Sequence, residues 1–266
     1  KNVFSDELNL RNFIENYGIN KDQFYSKYKF YELLAETSLS GSYKVIHNKE
    51  LKNSLRRFST INSKRLLKFS KRLLIEDISI HELNKQEELM LGMFHYTLWG
   101  KEPGISYIES LKILKKDNSD IVKELVEIID YNLSKLKVIE LVYEDKDIPL
   151  DIYASYTTSQ IMVAFGKTSE DKMFSHREGV LYIKEKNTDI FFITINKNES
   201  DYLPSTMYND YTISSELFNW ESQSTTSVES PTGQRYITDK SSDHKVLLFV
   251  REYKNKYGNA APYIFL

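Results

Sequence analysis

Leu141-Val142-Tyr143-Glu144-Asp145-Lys146-Asp147-Ile148-Pro149-Leu150-Asp151-Ile152-Tyr153 is the stretch across which the chain changes character. Before it, apolar residues recur at helical spacing. Ile121, Leu125, Ile129 and Leu133, flanked by Val122, Val126 and Leu136, make one apolar stripe and predict a helix over 120–137. Similar spacing predicts helices over 7–17, 21–36, 51–61, 66–75, 82–99 and 105–114, with Ser5 as an N-cap and Gly18 as a left-handed stop. After it come short runs rich in β-branched and aromatic residues, over 148–153, 179–184, 189–196, 207–213, 217–223, 234–238, 245–253 and 263–266. Turn residues separate them, among them Asn196-Lys197-Asn198 and Ser230-Pro231-Thr232-Gly233, and one short helix is expected over 158–165. Helices followed by eight short strands predict an α+β chain with a strongly curved sheet or barrel in its second half. The boundary is expected between Tyr143 and Pro149, giving domains 1–146 and 147–266.

Composition narrows the function classes. The 266 residues carry 36 Lys and Arg against 38 Asp and Glu, with 41% hydrophobic residues, which is the balance of a globular chain. No apolar run approaches the roughly 20 residues of a membrane span, and no signal-peptide pattern opens the chain. Absence of cysteine excludes disulfides, thiolate chemistry and iron–sulfur ligation, and fits a cytoplasmic protein. The first residue is Lys1 rather than Met, so the chain reads as part of something longer whose remainder could carry an activity.

Charge is uneven. Lys44, Lys49, Lys52, Arg56, Arg57, Lys64, Arg65, Lys68, Lys71 and Arg72 meet the single acid Glu50 between them, enough to hold a phosphate backbone or simply to solvate two helix faces. Between Lys197 and Arg235 no cation occurs, whereas Glu199, Asp201, Asp210, Glu216, Glu221 and Glu229 do. Gly166-Lys167-Thr168 lacks the earlier glycine of a phosphate loop, since Ile161 stands there. The five histidines form no ligand pair, so no metal is expected, and Glu178, Glu185 and Asp189 lack the arrangement of a metal-dependent nuclease.

The most unusual segment is 207–236, where Tyr208, Asp210, Tyr211, Phe218, Trp220 and Tyr236 surround Ser222-Gln223-Ser224-Thr225-Thr226. Aromatic planes beside short hydrogen-bonding side chains suit a flat heteroaromatic group, with a carboxylate to accept from an exocyclic amine. The plainer alternative makes Tyr208, Phe218 and Trp220 core and the Ser/Thr run a loop.

Five ordered stretches carry a resemblance: Arg177-Glu178-Gly179-Val180-Leu181-Tyr182, Met207-Tyr208-Asn209-Asp210-Tyr211, Leu217-Phe218-Asn219-Trp220-Glu221-Ser222-Gln223-Ser224-Thr225-Thr226, Ser230-Pro231-Thr232-Gly233-Gln234-Arg235-Tyr236 and Leu247-Leu248-Phe249-Val250-Arg251-Glu252-Tyr253. Together they resemble the C-terminal domain of helicase-linked, modification-dependent (type IV) restriction enzymes of the SauUSI type, over about 149–266, with the preceding helices similar to that family's linker. The resemblance implies an SRA-like curved mixed β-barrel with a short helix, which reads 5-methylcytosine by flipping the base out of the duplex. It implies a base pocket from Tyr208, Asp210 and Trp220, beside Tyr211, Ser222, Gln223, Ser224, Thr225 and Thr226. Here Tyr-x-Asp is tighter than in the better-known eukaryotic members, and Trp replaces the second Tyr. Phosphate contacts are expected from Arg177, Arg235, Lys240 and Lys245, with Arg56, Arg57, Lys64 and Arg65 on the helices.

The resemblance further implies a role in defence against phage and other foreign DNA. It gives these residues no catalysis, metal or cofactor of their own; ATP and Mg would serve a nuclease and helicase part N-terminal to them. The expected partners are methylated double-stranded DNA, those nuclease and helicase domains, and a homodimer, with no membrane. An alternative from another class makes the helices a dimerisation or docking module and the β region structural, with no base recognition.

Overall fold

The computed structural model describes residues 9–37, 43–46, 48–136, 141–176, 178–197, 211–212, 214, 217–222, 226–237 and 243–266. The chain is mixed α+β, about half helical, and forms two compact units, Lys1–Ser175 and His176–Leu266.

The first unit contains α1 (Leu10–Asn16), α2 (Lys21–Lys27), α3 (Phe30–Glu36), α4 (Asn48–Ser59), α5 (Lys64–Ile75), α6 (Lys85–Trp99), α7 (Tyr107–Asp117) and α8 (Ser119–Lys135). Side-chain caps start most of them: Asn9, Asn20, Ser63 and Ser106 each accept from an amide of the first turn, and Asn84 forms a reciprocal capping box with Glu87. The central helix is α6, buried on every side from Met90 to Trp99. Gly100 ends it in the left-handed region (φ 74°).

One predicted helix is two. The stretch 21–36 breaks at Tyr28, and α3 begins at Phe30 without a cap from its own Lys29. Its cap comes from α8, where buried Glu124 accepts from the amides of Phe30 (2.6 Å) and Tyr31 (3.4 Å) and from the Tyr25 hydroxyl (2.9 Å). Burial nevertheless pushes the Glu124 carboxyl up to about 7, against those hydrogen bonds. An acid raised above its unfolded value contributes stability that is complete at low pH and lost as pH rises through the folded value. Glu124→Gln should therefore gain stability relative to the wild type between about pH 4.5 and 7, by up to about 3 kcal/mol, and the gain should level off above pH 7. Thermal unfolding of both proteins across that range reads it; a pH-independent difference refutes it. Taking the difference matters because buried His95, held down near 4 by desolvation, gives the wild type an opposite slope.

Residues 147–175, expected with the strands, lie in this helical unit. β1 (Leu141–Val142) pairs antiparallel with β2 (Asp151–Ile152), followed by β3 (Ser155–Tyr156) and α9 (Thr158–Ala164). A Thr157–Gln160 capping box starts α9, and the Gln160 amide reaches Thr97 Oγ1 (2.8 Å) on α6. Gly92 permits that approach, because a Cβ there would lie 2.8 Å from Val163 Cγ1.

The second unit is built on a mixed sheet. β4 (Val180–Ile183) pairs antiparallel with β5 (Thr188–Asn196), β5 pairs parallel with β8 (Lys245–Tyr253), and β8 pairs antiparallel with β11 (Tyr263–Phe265). A parallel pair requires a crossover. The crossover contains β6 (Tyr211–Thr212), β7 (Phe218–Asn219) and α10 (Pro231–Ile237), and β9 (Asn255–Lys256) and β10 (Asn259–Ala260) form a separate ribbon.

Among the described residues the mixed sheet is not seen to close into a barrel: β4 ends the sheet order, and the β6–β7 and β9–β10 pairs stand as separate ribbons. One expectation is corrected. Residues 234–238, expected as a strand, fall largely in α10. Pro231 opens that helix, and the Ser230 hydroxyl accepts from the Gly233 amide (3.0 Å). A Cβ on Gly233 would meet the Ser227 carbonyl at 2.0 Å, so glycine is required where the helix folds back on its approach.

Candidate functional site

Alternation along β5 decides what faces the crossover. Asp189, Phe191 and Ile193 share one face of the strand, and the cluster of Val180, Phe191, Ile193 and Val250 is covered by Trp220, Tyr236 and Leu248. Trp220 stacks on Phe191 with ring centroids 4.2 Å apart at 29°, and Tyr236 stands edge-on to both, 5.1 Å from Trp220 and 5.3 Å from Phe191. Trp220 remains half-buried rather than sealed in the core. The antiparallel β6–β7 hairpin sets Tyr211 opposite Asn219, the residue before Trp220.

Of the expected pocket, Tyr208, Asp210, Gln223, Ser224 and Thr225 lie outside the described residues, as does the side chain of Tyr211. Ser222 and Thr226 are half-buried and flank the 223–225 gap. What the structure does bring together is Trp220 with Tyr236 and Phe191.

Two residues before Phe191 on β5, Asp189 gathers a second cluster. Asp189 is fully buried and receives Arg235 through two nitrogens (Nε–Oδ2 3.0 Å, Nη2–Oδ1 3.4 Å) and His244 Nε2 (2.9 Å). The Arg235 guanidinium also lies 3.9 Å from the centroid of Tyr182. Hydrogen bonding to Asp189 raises its pKa further, against partial burial. Arg235, expected on the DNA backbone, is half-buried and paired with Asp189. Asp189 meets nitrogen donors rather than other carboxylates, and no group of three or more His, Cys, Asp or Glu among the described residues could hold a metal ion.

The helical cations divide similarly. Arg57 is half-buried against the C-terminal carbonyls of Thr97 and Leu98 on α6, where it caps the helix, and desolvation pulls its pKa down to about 10. Arg65 pairs with buried Asp151 (2.9 Å), which also accepts from Ser63 Oγ (2.6 Å). Lys52 pairs with Glu32, Lys71 with Asp130 and Arg72 with Glu87, so acids distant in sequence neutralise much of the run. Arg56 is half-buried, with its pKa lowered by that burial, and Lys64 is half-buried as well. A cleft of about 460 Å3 opens beside Arg65, Lys68 and Arg72 with Phe69 and Met90 on its wall. In the second unit Lys245 is exposed at the start of β8, while Arg177 and Lys240 lie outside the described residues.

The sequence reading missed the Asp189–Arg235–His244 cluster. Asp189 lies 46 residues from Arg235 and 55 from His244, separations that leave no pattern in the chain; only the parallel β5–β8 pairing sets His244 beside Asp189.

The whole β5–α10–β8 site lies inside a stretch with relatives. Residues 150–266 match the family model described as Domain of unknown function (DUF3427). No curated protein matches the chain. The DUF3427 stretch starts at Leu150, beside the Asp151 contact to Ser63 and Arg65, and runs to the last residue of the chain. Among the described residues no helix is long and apolar enough to cross a membrane.

Proposed function

We propose that the chain is the target-recognition part of a modification-dependent restriction enzyme of the SauUSI type, reading 5-methylcytosine through a base taken out of the duplex. The observation that supports this reading is the β6–β7 pairing, which sets Tyr211 opposite Asn219 inside the stretch of sequence that carries the aromatic–Asp–aromatic segment. Asp210 is the residue before Tyr211 and Trp220 the residue after Asn219.

The chemistry suits the task. Extracting a base costs a few kcal/mol, which stacking on an aromatic side chain, about 1–3 kcal/mol, offsets in part together with hydrogen bonds to the Watson–Crick edge. Phe191 already occupies one face of the indole, so the base meets the half-exposed remainder of Trp220. The methyl group adds only about 0.8 kcal/mol when buried, so discrimination depends on a wall that fits it. Tyr236, edge-on to Trp220 and anchored through α10, is suited to that wall. In this reading the residues recognise and do not cut; nuclease and motor functions, with their ATP and Mg, belong to other parts of a longer polypeptide.

Titration of the 266-residue chain with a duplex carrying one 5-methylcytosine, and with its unmodified twin at the same salt, tests the proposal. Tighter binding of the methylated duplex is expected, with a fluorescence rise from 2-aminopurine placed beside the methylated base as its stacking is lost. Tyr208→Ala and Asp210→Ala should each remove the preference. Equal affinities for the two duplexes would overturn the reading.

A further inference from the structure

β9 and β10 pair with Lys256 opposite Asn259, leaving Tyr257-Gly258 as a two-residue loop. Both loop residues have positive φ, 51° and 74°, the signature of the turn that favours Asn or Asp followed by Gly. Gly258 enters that region freely. A tyrosine enters it against a clash between its Cβ and the backbone carbonyl, and such strain persists where the residue serves something other than stability. The fold covers the ring only in part: Tyr257 is 40% exposed, and its neighbour is Lys256, whose Nζ lies 5.5 Å from the ring centroid. Lys254 stands on the same ribbon, Tyr253 at its base is 43% exposed, and no Asp or Glu occurs from Tyr253 to Leu266.

Within the crossover, the 198–234 stretch holds six acids and no cation, and Arg235 is tied to Asp189. We propose that the β9–β10 ribbon is a duplex-DNA contact, with Lys254 and Lys256 on backbone phosphates and the Tyr257 ring carried into the groove at the tip. A two-stranded ribbon is of a size the major groove admits. The inference rests on the DNA-reading function proposed above and adds to it a second surface that grips DNA without regard to methylation.

The full 266-residue chain, titrated with the methylated and unmodified duplexes over a range of salt, separates the two ideas. Tyr257→Asn installs the residue the turn favours, so its melting temperature should stay level or rise, while affinity for both duplexes falls about fivefold or more. Lys256→Ala should weaken both duplexes alike and reduce the slope of log affinity against log salt by about one. The ratio of methylated to unmodified affinity should survive both substitutions. If the wild type discriminates but Tyr257→Asn binds as tightly as it does, or melts lower, the inference falls and the base-reading proposal stands. If the wild type binds neither duplex, both fall.

Discussion

Trp220→Ala should erase the preference for methylated DNA, whereas Trp220→Phe should keep most of the fold and lose only part of the preference. The two must be compared because Trp220 does two things. Its stack on Phe191 and its edge contact with Tyr236 hold the crossover to the sheet, so truncation to alanine removes a large half-buried side chain and should destabilise the second unit by about 2–4 kcal/mol. Phenylalanine retains an aromatic face for Phe191, with a smaller loss of about 1 kcal/mol, but offers an extrahelical base less area than an indole. If the indole touches the base, the methylated-to-unmodified ratio falls progressively from Trp through Phe to Ala, measured below each variant's melting transition. If it is only core, both variants keep the full ratio once folded protein is counted, and melting temperature alone changes. Circular dichroism at the titration temperature distinguishes a lost pocket from a lost fold.

Much of the helical half is legible in the sequence because its signals are local. The 3.6-residue stripe of Ile121, Leu125 and Ile129 marks α8, all three fully buried. The break between α2 and α3 is not local: its cap is Glu124, 94 residues from Phe30. The same reason hides the partners of the cations. Arg57, Arg65 and Arg235 look available in the chain, yet their acceptors, at Thr97, Asp151 and Asp189, lie far away in sequence. In α10, Tyr236 and Ile237 carry strand propensity and misled the reading, although Ser230-Pro231 is a helix-start signal of the usual kind. Of the candidate site, the aromatic content was legible and the Phe191 stack was not, since it depends on which face of β5 the crossover covers.

Asp189→Ala should destabilise the second unit by about 2–4 kcal/mol. The carboxylate has no exposure, and its removal leaves two donors, Arg235 and His244, without their acceptor in a desolvated corner. Arg235 keeps a 24% exposed side chain and its seat over Tyr182, and this escape to solvent holds the expected loss below that of a fully enclosed pair. Arg235→Lys should fall between, because an ammonium cannot span both carboxylate oxygens as the guanidinium does. The consequence reaches the reading surface through one helix. Arg235 and Tyr236 are neighbours on α10, so an anchor lost at Asp189 frees the ring that stands edge-on to Trp220. Asp189→Ala should consequently lower the methylated-to-unmodified affinity ratio as well as the melting temperature, at a temperature where the protein remains folded. A variant that melts early yet keeps its discrimination would show that α10 holds its position through the Phe191, Trp220 and Tyr236 rings alone, and that the ion cluster supports the sheet without shaping the pocket.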